Sequence, residues 1–482
     1  MTRDAQSRCP VDHAALVAAA APSSVDSVDE GKTRTASASP VSDAPPCPIT
    51  LPTKREHPFE PPHELAELRK SHPLTRMRYE DGTLGWLVTS HELARAVLGD
   101  ARFSVYPGGF ATDHPDKQAS LLLDAIEYDT DFPDIARNLV DGYHRDGRLT
   151  DAFRDPQVLD ALHEHSLSKL PFFSSDPPKH TRMRRILSGY FSPRRVTEYQ
   201  DLVERIVANR LDAMERAGGP VDLVEAFAGA IPSMMTCALF GVPESERGTM
   251  MRLFEARANP NSTPDDYVRV HDEFHAFCRD LIAKKRAQPG EDLLSNLVHG
   301  GRMSDDELVA TAVILVRAAQ ETTSATIASG VFTLLHDRAR WEALKSDPAS
   351  AVQVVEEVLR FTSVSQVSNI RRATEDVELG GTVIKAHELV TVSMPAANRD
   401  PHVFADPNRF DPTRPSAAQH VTFSYGMHQC LGQHLVRQEL RTAFTALAAR
   451  FPKLDFAVPV AEIPWHPDIR VVRGPQRLLV TW

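Results

Sequence analysis

One thiol stands out by its surroundings. Cys430 lies in the stretch Phe423-Ser-Tyr-Gly426-Met-His428-Gln-Cys430-Leu-Gly432, and an apolar helical pattern (Leu431, Leu435, Leu440) follows. Backbone N–H groups at a helix start stabilise a thiolate, and a thiolate binds metals strongly. Gly426 permits a bend that a side chain would block. Gly432 lets the backbone approach something flat. Two readings stand for Cys430: a thiolate axial ligand to haem iron, or a buried core cysteine, the commoner fate of a lone thiol.

The stretch resembles the haem-binding signature of the cytochrome P450 family, Phe-x-x-Gly-x-[His/Arg]-x-Cys-x-Gly, at every fixed position. Cys430 then implies the iron ligand, with Phe423, Gly426, His428 and Gly432 framing it. Haem carries two propionates, and cationic donors must meet them at its edge. His180 and Arg184 stand at i and i+4, on one face of a helix, in a segment resembling the family's Asp-Pro-Pro-x-His-x-x-x-Arg. Arg371 resembles the family's propionate arginine on a strand. The implied cofactor is haem b, iron protoporphyrin IX.

Two further resemblances concern the elements that position this loop. Glu357-Val-Leu-Arg360 resembles the family's Glu-x-x-Arg helix, and Asn398 to Arg414 resembles the meander whose arginine joins it. Glu357, Arg360 and Arg414 are expected as one buried network that fixes the fold behind the thiolate. Ala318-Ala-Gln-Glu321-Thr322-Thr resembles the oxygen-activating helix motif, so Glu321 and Thr322 are the expected acid–alcohol pair for proton delivery. Without the family, Thr322 reads equally as a hydroxyl bonded back to its own helix. Ala319 stands where the family usually has glycine. Arg317 stands where a small or apolar residue is usual; it either meets a carboxylate or polar rim of the substrate or pairs internally. Ile314, Arg317, Ala318 and Gln366 are the expected substrate contacts.

The chain has 482 residues, 42% hydrophobic, enough to bury a large core, and a formal net charge of -11. That charge argues against nucleic acid as a partner. No apolar run approaches the roughly 18–20 residues of a membrane span. Five cysteines without metal-type spacing suit a reducing cytoplasm. Residues 1–50 are rich in Ala, Ser and Pro and read as a disordered tail. Residues 51–482 read as a single large haem-enclosing domain of the cytochrome P450 fold, mainly α with minor β. It opens with a hairpin around Asp81-Gly82 and ends in strand-like Ile469–Val472 and Leu478–Trp482, flanking Arg473-Gly474-Pro475. The segment 103–175 is acidic and longer than the family usually has, an enlarged loop or lid region. His163 and His165 within it face different ways if helical and read as a solvated face.

The resemblance implies a haem-thiolate monooxygenase inserting one oxygen atom from O2 into a small-molecule secondary metabolite, or coupling it oxidatively. Electrons would come from NAD(P)H through a separate ferredoxin reductase and ferredoxin. Lys179, Arg182, Arg185, Arg437 and Arg441 are candidates for the ferredoxin-docking patch. The alternatives are an H2O2-dependent peroxygenase and a non-catalytic haem-thiolate sensor.

Overall fold

A computed structural model describes residues 47–58, 60–79, 82–105, 134–147, 152, 155–158, 172–258, 264–366, 369–467 and 472–482. The architecture is a helical body beside a six-stranded sheet. The body is organised around one helix, Asp305–His336. Its start is a full capping box: Ser304 Oγ accepts the Glu307 N–H at 3.2 Å, and Glu307 Oε2 accepts the Ser304 N–H at 3.0 Å. Asp305, Asp306 and Glu307 also favour the positive N-terminal end. Every residue from Thr326 to Leu335 is buried, as suits a helix crossing the centre of a large core. Gly330 sits where this helix meets the helix Gln433–Arg450; a Cβ there would stand 2.4 Å from the Phe444 ring. The helix Gln433–Arg450 also packs on Gln200–Ala217, Ala351–Thr362 and Arg338–Ser346.

The large sheet has the order β1-β2-β3-β9-β6-β4. These strands are β1 (Ile49–Thr50), β2 (Leu74–Arg78), β3 (Leu84–Val88), β4 (Phe103–Val105), β6 (Ile370–Ala373) and β9 (Leu389–Val392). The expected hairpin is present: β2 and β3 are antiparallel, Leu74 opposite Val88, with Gly82 at φ +85° in the turn. Residues 180–360 are mainly helical.

Ile49–Thr50, read as the end of the tail, pairs parallel to β2. Of the C-terminal segments read as strand-like, Leu479–Thr481 is a strand, and residues 469–471 lie outside the described residues. β11 (Leu479–Thr481) lies between β10 (Asp455–Phe456) and β5 (Val221–Asp222), while Val472 bridges to Ser365. Alternation marks a strand but does not name its partner. Of the segment 103–175, a helix Asp134–Arg145 is described; His163, His165 and most of the remainder lie outside the described residues.

Candidate active site

The Cys430 loop is held by its backbone. The Cys430 N–H donates to Phe423 O at 2.8 Å, and Gly426–His428 forms one 3-10 turn. Gly426 has φ +75°, and a Cβ there would stand 2.6 Å from Leu98 O. Both its conformation and the packing against Leu98–Gly99 require glycine. The helix Gln433–Arg450 begins directly afterwards, with Gly432 as its N-cap. Burial pushes the Cys430 thiol up; the Gly432 N–H, the charges of Arg184 and Arg437 and the Gln433 N–H oppose it. Two backbone donors and two guanidinium groups thus favour a thiolate that burial alone would forbid. At Gly432 a Cβ would meet nothing within 4 Å. No neighbouring protein atom demands a glycine there, which fits the approach of a flat group.

Beside the loop lies a cationic cluster. His180 and Arg184 come from the helix Lys179–Leu187, Arg371 from β6, and His428 from the loop itself. The His180 and His428 rings have centroids 4.2 Å apart. All four of their ring nitrogens are buried without a hydrogen-bond partner. Burial pushes His180 down to about 4 and His428 down to about 2, the charge of Arg184 adding to both. Burial also lowers Arg371, to about 10, with Asp176 opposing. The carboxylate Asp176 accepts the Val105 N–H at 3.2 Å and lies 3.9 Å from His428 Nε2. Buried polar groups without partners are costly. Two carboxylates at this edge would satisfy them, so these residues fit the propionates of haem.

The chain matches the cytochrome P450 family model over residues 143–347 and 349–479. The chain belongs to the cytochrome P450 family. It is 36% identical over 436 residues to Cytochrome P450 105C1 of a Streptomyces species, covering 90% of this chain and 99% of that one. It is 34% identical over 446 residues to Nocardicin C N-oxygenase of Nocardia uniformis subsp. tsuyamanensis, covering 90% and 100%. The solved structure of mycinamicin VIII C21 methyl hydroxylase MycCI from Micromonospora griseorubida superposes with a TM-score of 0.73 at 28% identity, covering 90% and 100%. P450 enzymes are haem-thiolate monooxygenases, and the haem iron is bound through a cysteine.

The support of this P450 loop is a buried ion network. Arg360 donates Nε to Glu357 Oε2 and Nη2 to Oε1, both at 2.7 Å, and both side chains are fully buried. Arg414 Nε lies 3.5 Å from the same Oε1, which also accepts the Asp411 N–H at 2.8 Å. The remaining guanidinium N–H groups meet the carbonyls of Asn398, Pro407 and Arg409. Asn398 carries the connection onward, accepting the Val421 N–H at 2.8 Å and donating to Thr422 Oγ1 at 2.9 Å.

On the long helix, Ala318 and Glu321 are exposed, and Arg317, Ala319 and Thr322 are partly so, an accessible stretch midway along the element. Thr322 Oγ1 donates back to Ala318 O at 2.9 Å. The opposite side is anchored: Gln320 accepts from Ser233 Oγ at 2.5 Å and donates to Gly229 O at 3.0 Å.

Two expected substrate contacts are placed elsewhere. Ile314 is buried within the main hydrophobic core. Gln366 spends its amide on Ser363 O and Val364 O and its carbonyl on Arg55. Of the five expected surface cations, Lys179 is buried and Arg437 is bound to Glu356 by two hydrogen bonds. Arg182 pairs with Glu307 but stays half exposed, Arg185 is exposed and Arg441 is partly so. Sequence reasoning missed Asp176, Gln320 with Ser233, and Glu356 with His420. The adjacent acids Glu356-Glu357 carried a usable signal, since a helix turns such neighbours toward different partners.

Proposed function

We propose that the chain uses haem, held by Cys430, to insert one oxygen atom from O2 into a small-molecule secondary metabolite. The observation that carries this reading is Cys430 at a helix N-terminus beside His180, Arg184, Arg371 and His428, with all four imidazole nitrogens buried and without a hydrogen-bond partner. When bound, haem supplies dioxygen activation, and a thiolate ligand favours O–O cleavage. The protein's own part is to stabilise the sulfur's negative charge through Gly432 N–H and Gln433 N–H, and to pair the propionates through the four cationic or imidazole side chains.

Glu321 and Thr322 are the proposed proton-delivery pair. The exposure of Glu321 gives it access to solvent protons, and the partly exposed Thr322 hydroxyl donates to Ala318 O. The Gln320–Ser233 anchor holds the helix so that this face stays turned to the accessible side. Arg317, one turn earlier on the same helix, is the proposed contact for a substrate carboxylate or polar rim, with Ala318 beside it. A natural-product substrate is supported by the relatives named for nocardicin C and mycinamicin VIII.

NAD(P)H would supply electrons through a separate ferredoxin reductase and ferredoxin, in the cytoplasm. Arg182, Arg185 and Arg441 are the remaining candidates for the docking patch. No helix among the described residues is long and apolar enough to cross a membrane.

The test is a titration of the ferric, haem-loaded protein with natural products divided into carboxylates and neutral molecules, followed by turnover with NAD(P)H, ferredoxin and reductase. A substrate-induced Soret shift with oxygenated product supports the reading. Turnover with hydrogen peroxide alone, and none with the electron-transfer partners, would replace it by a peroxygenase.

A further inference from the structure

The cation Arg437 lies beside the thiolate loop yet is committed elsewhere. Its Nε and Nη2 donate to the two carboxylate oxygens of Glu356 at 2.6 and 3.0 Å, a bidentate pair. Its guanidinium lies over the Phe423 ring, 4.6 Å from the centroid. Phe423 O is the acceptor for the Cys430 N–H. Glu356 has a second neighbour: His420 Nε2 is 3.3 Å from Oε2. The Thr422 N–H donates to His420 Nδ1 at 3.2 Å, so in the neutral ring the proton sits on Nε2, toward Glu356. Thr422 Oγ1 also donates to Leu359 O, on the helix that carries Glu356. One carboxylate therefore holds Phe423 through Arg437 and lies against His420, whose ring accepts the Thr422 N–H.

Resting on the assignment of Cys430 as the haem ligand, we propose that Glu356 is a positioning residue for the thiolate. It clamps Arg437 flat against Phe423 and offsets part of the positive field that Arg437 directs at the sulfur. A nearby positive charge stabilises the thiolate and weakens its donation to iron, which raises the reduction potential. With Glu356 in place the field of Arg437 at the sulfur is weakened, and the sulfur keeps more of its donor strength. This gives Arg437 a role in the interior in place of partner docking.

The test uses haem-loaded wild type, Glu356→Gln, Arg437→Gln and the double variant, reading the midpoint potential and the Soret band of the ferrous carbonyl complex. Glu356→Gln leaves the cation unpaired, and its potential rises, by up to tenfold in the reduction equilibrium, or about 59 mV for one electron. Arg437→Gln removes the cation, and its potential falls. The double variant returns close to wild type. Two single variants that shift in the same direction, or that lose thermal stability with unchanged potential, make the pair a strut and overturn the proposal. If Glu356→Gln takes up no haem, Arg437→Gln decides by the same sign, and Glu356→Asp, which keeps the charge, stays on the wild-type side. Wild type without a thiolate-type spectrum would instead refute the haem assignment itself, a distinct outcome.

Discussion

Replacing Glu357 by alanine removes the carboxylate that meets two buried guanidinium groups, those of Arg360 and Arg414. Four contacts are lost: Arg360 Nε and Nη2 at 2.7 Å each, the Asp411 N–H at 2.8 Å and Arg414 Nε at 3.5 Å. Arg360 is fully buried and Arg414 nearly so, so neither charge can turn to water. Stranding buried charge in this way costs roughly 3–5 kcal/mol. The carbonyls of Asn398, Pro407 and Arg409 still accept from Arg360, and those of Ala405, Asp406 and Arg409 from Arg414, which holds the cost toward the lower end. At roughly 2 °C per kcal/mol for a large domain, the melting temperature falls by roughly 6–10 °C. Damage reaches the thiolate loop as well, because Asn398 links Arg360 to Val421 and Thr422. The assay is thermal unfolding by circular dichroism together with haem retention. Glu357→Gln keeps the volume and one acceptor but not the charge, and it falls nearly as far as the alanine variant. An alanine variant that melts like wild type and keeps its haem would refute the reasoning. A Gln variant equal to wild type would show that geometry, not charge, holds the network.

Three further outcomes follow from particular positions. Gly426→Ala meets both a positive φ and Leu98 O at 2.6 Å, so the loop must shift; haem content and the thiolate-type spectrum are lost together, and a normal spectrum would contradict this. Gly330→Ala drives a methyl group into the buried Phe444 ring and costs about 1–3 kcal/mol in denaturant unfolding, with the Cys430 environment unchanged. Glu439, fully buried, is pushed up to about 8 by burial from an ordinary 4.5. The folded state therefore keeps a proton that the unfolded chain has lost, and stability falls by about 1.4 kcal/mol for each pH unit between those values. Glu439→Gln should melt like wild type near pH 5 and above it near about pH 9; parallel melting curves across that range would show that Glu439 is ionised in the fold.

The parts of the site that were legible in the sequence are those carried by local spacing. The Cys430 loop, Glu357 with Arg360, and His180 with Arg184 each lie within a few residues, and a loop or a helix turn brings them together. Arg371 and Arg414 were legible only through the family's longer pattern. Burial was not legible: Lys179 and Arg437 read as surface cations, but Lys179 is covered and pushed down to about 8 by burial, and Arg437 is turned onto Glu356. Gln366 read as a polar lining residue, yet its amide closes a turn. Pairing at a distance was equally hidden. Ile49–Thr50 is too short to announce a strand, and β11 finds β5 more than 250 residues away.

The most direct test of the central claim is the spectrum of the ferrous carbonyl complex of the haem-loaded protein, beside that of Cys430→His. Wild type should show the long-wavelength Soret band that thiolate ligation produces, and the histidine variant should show the shorter-wavelength band of an imidazole ligand. The same band in both proteins would mean that Cys430 does not bind the iron, and the account built on that loop would fall.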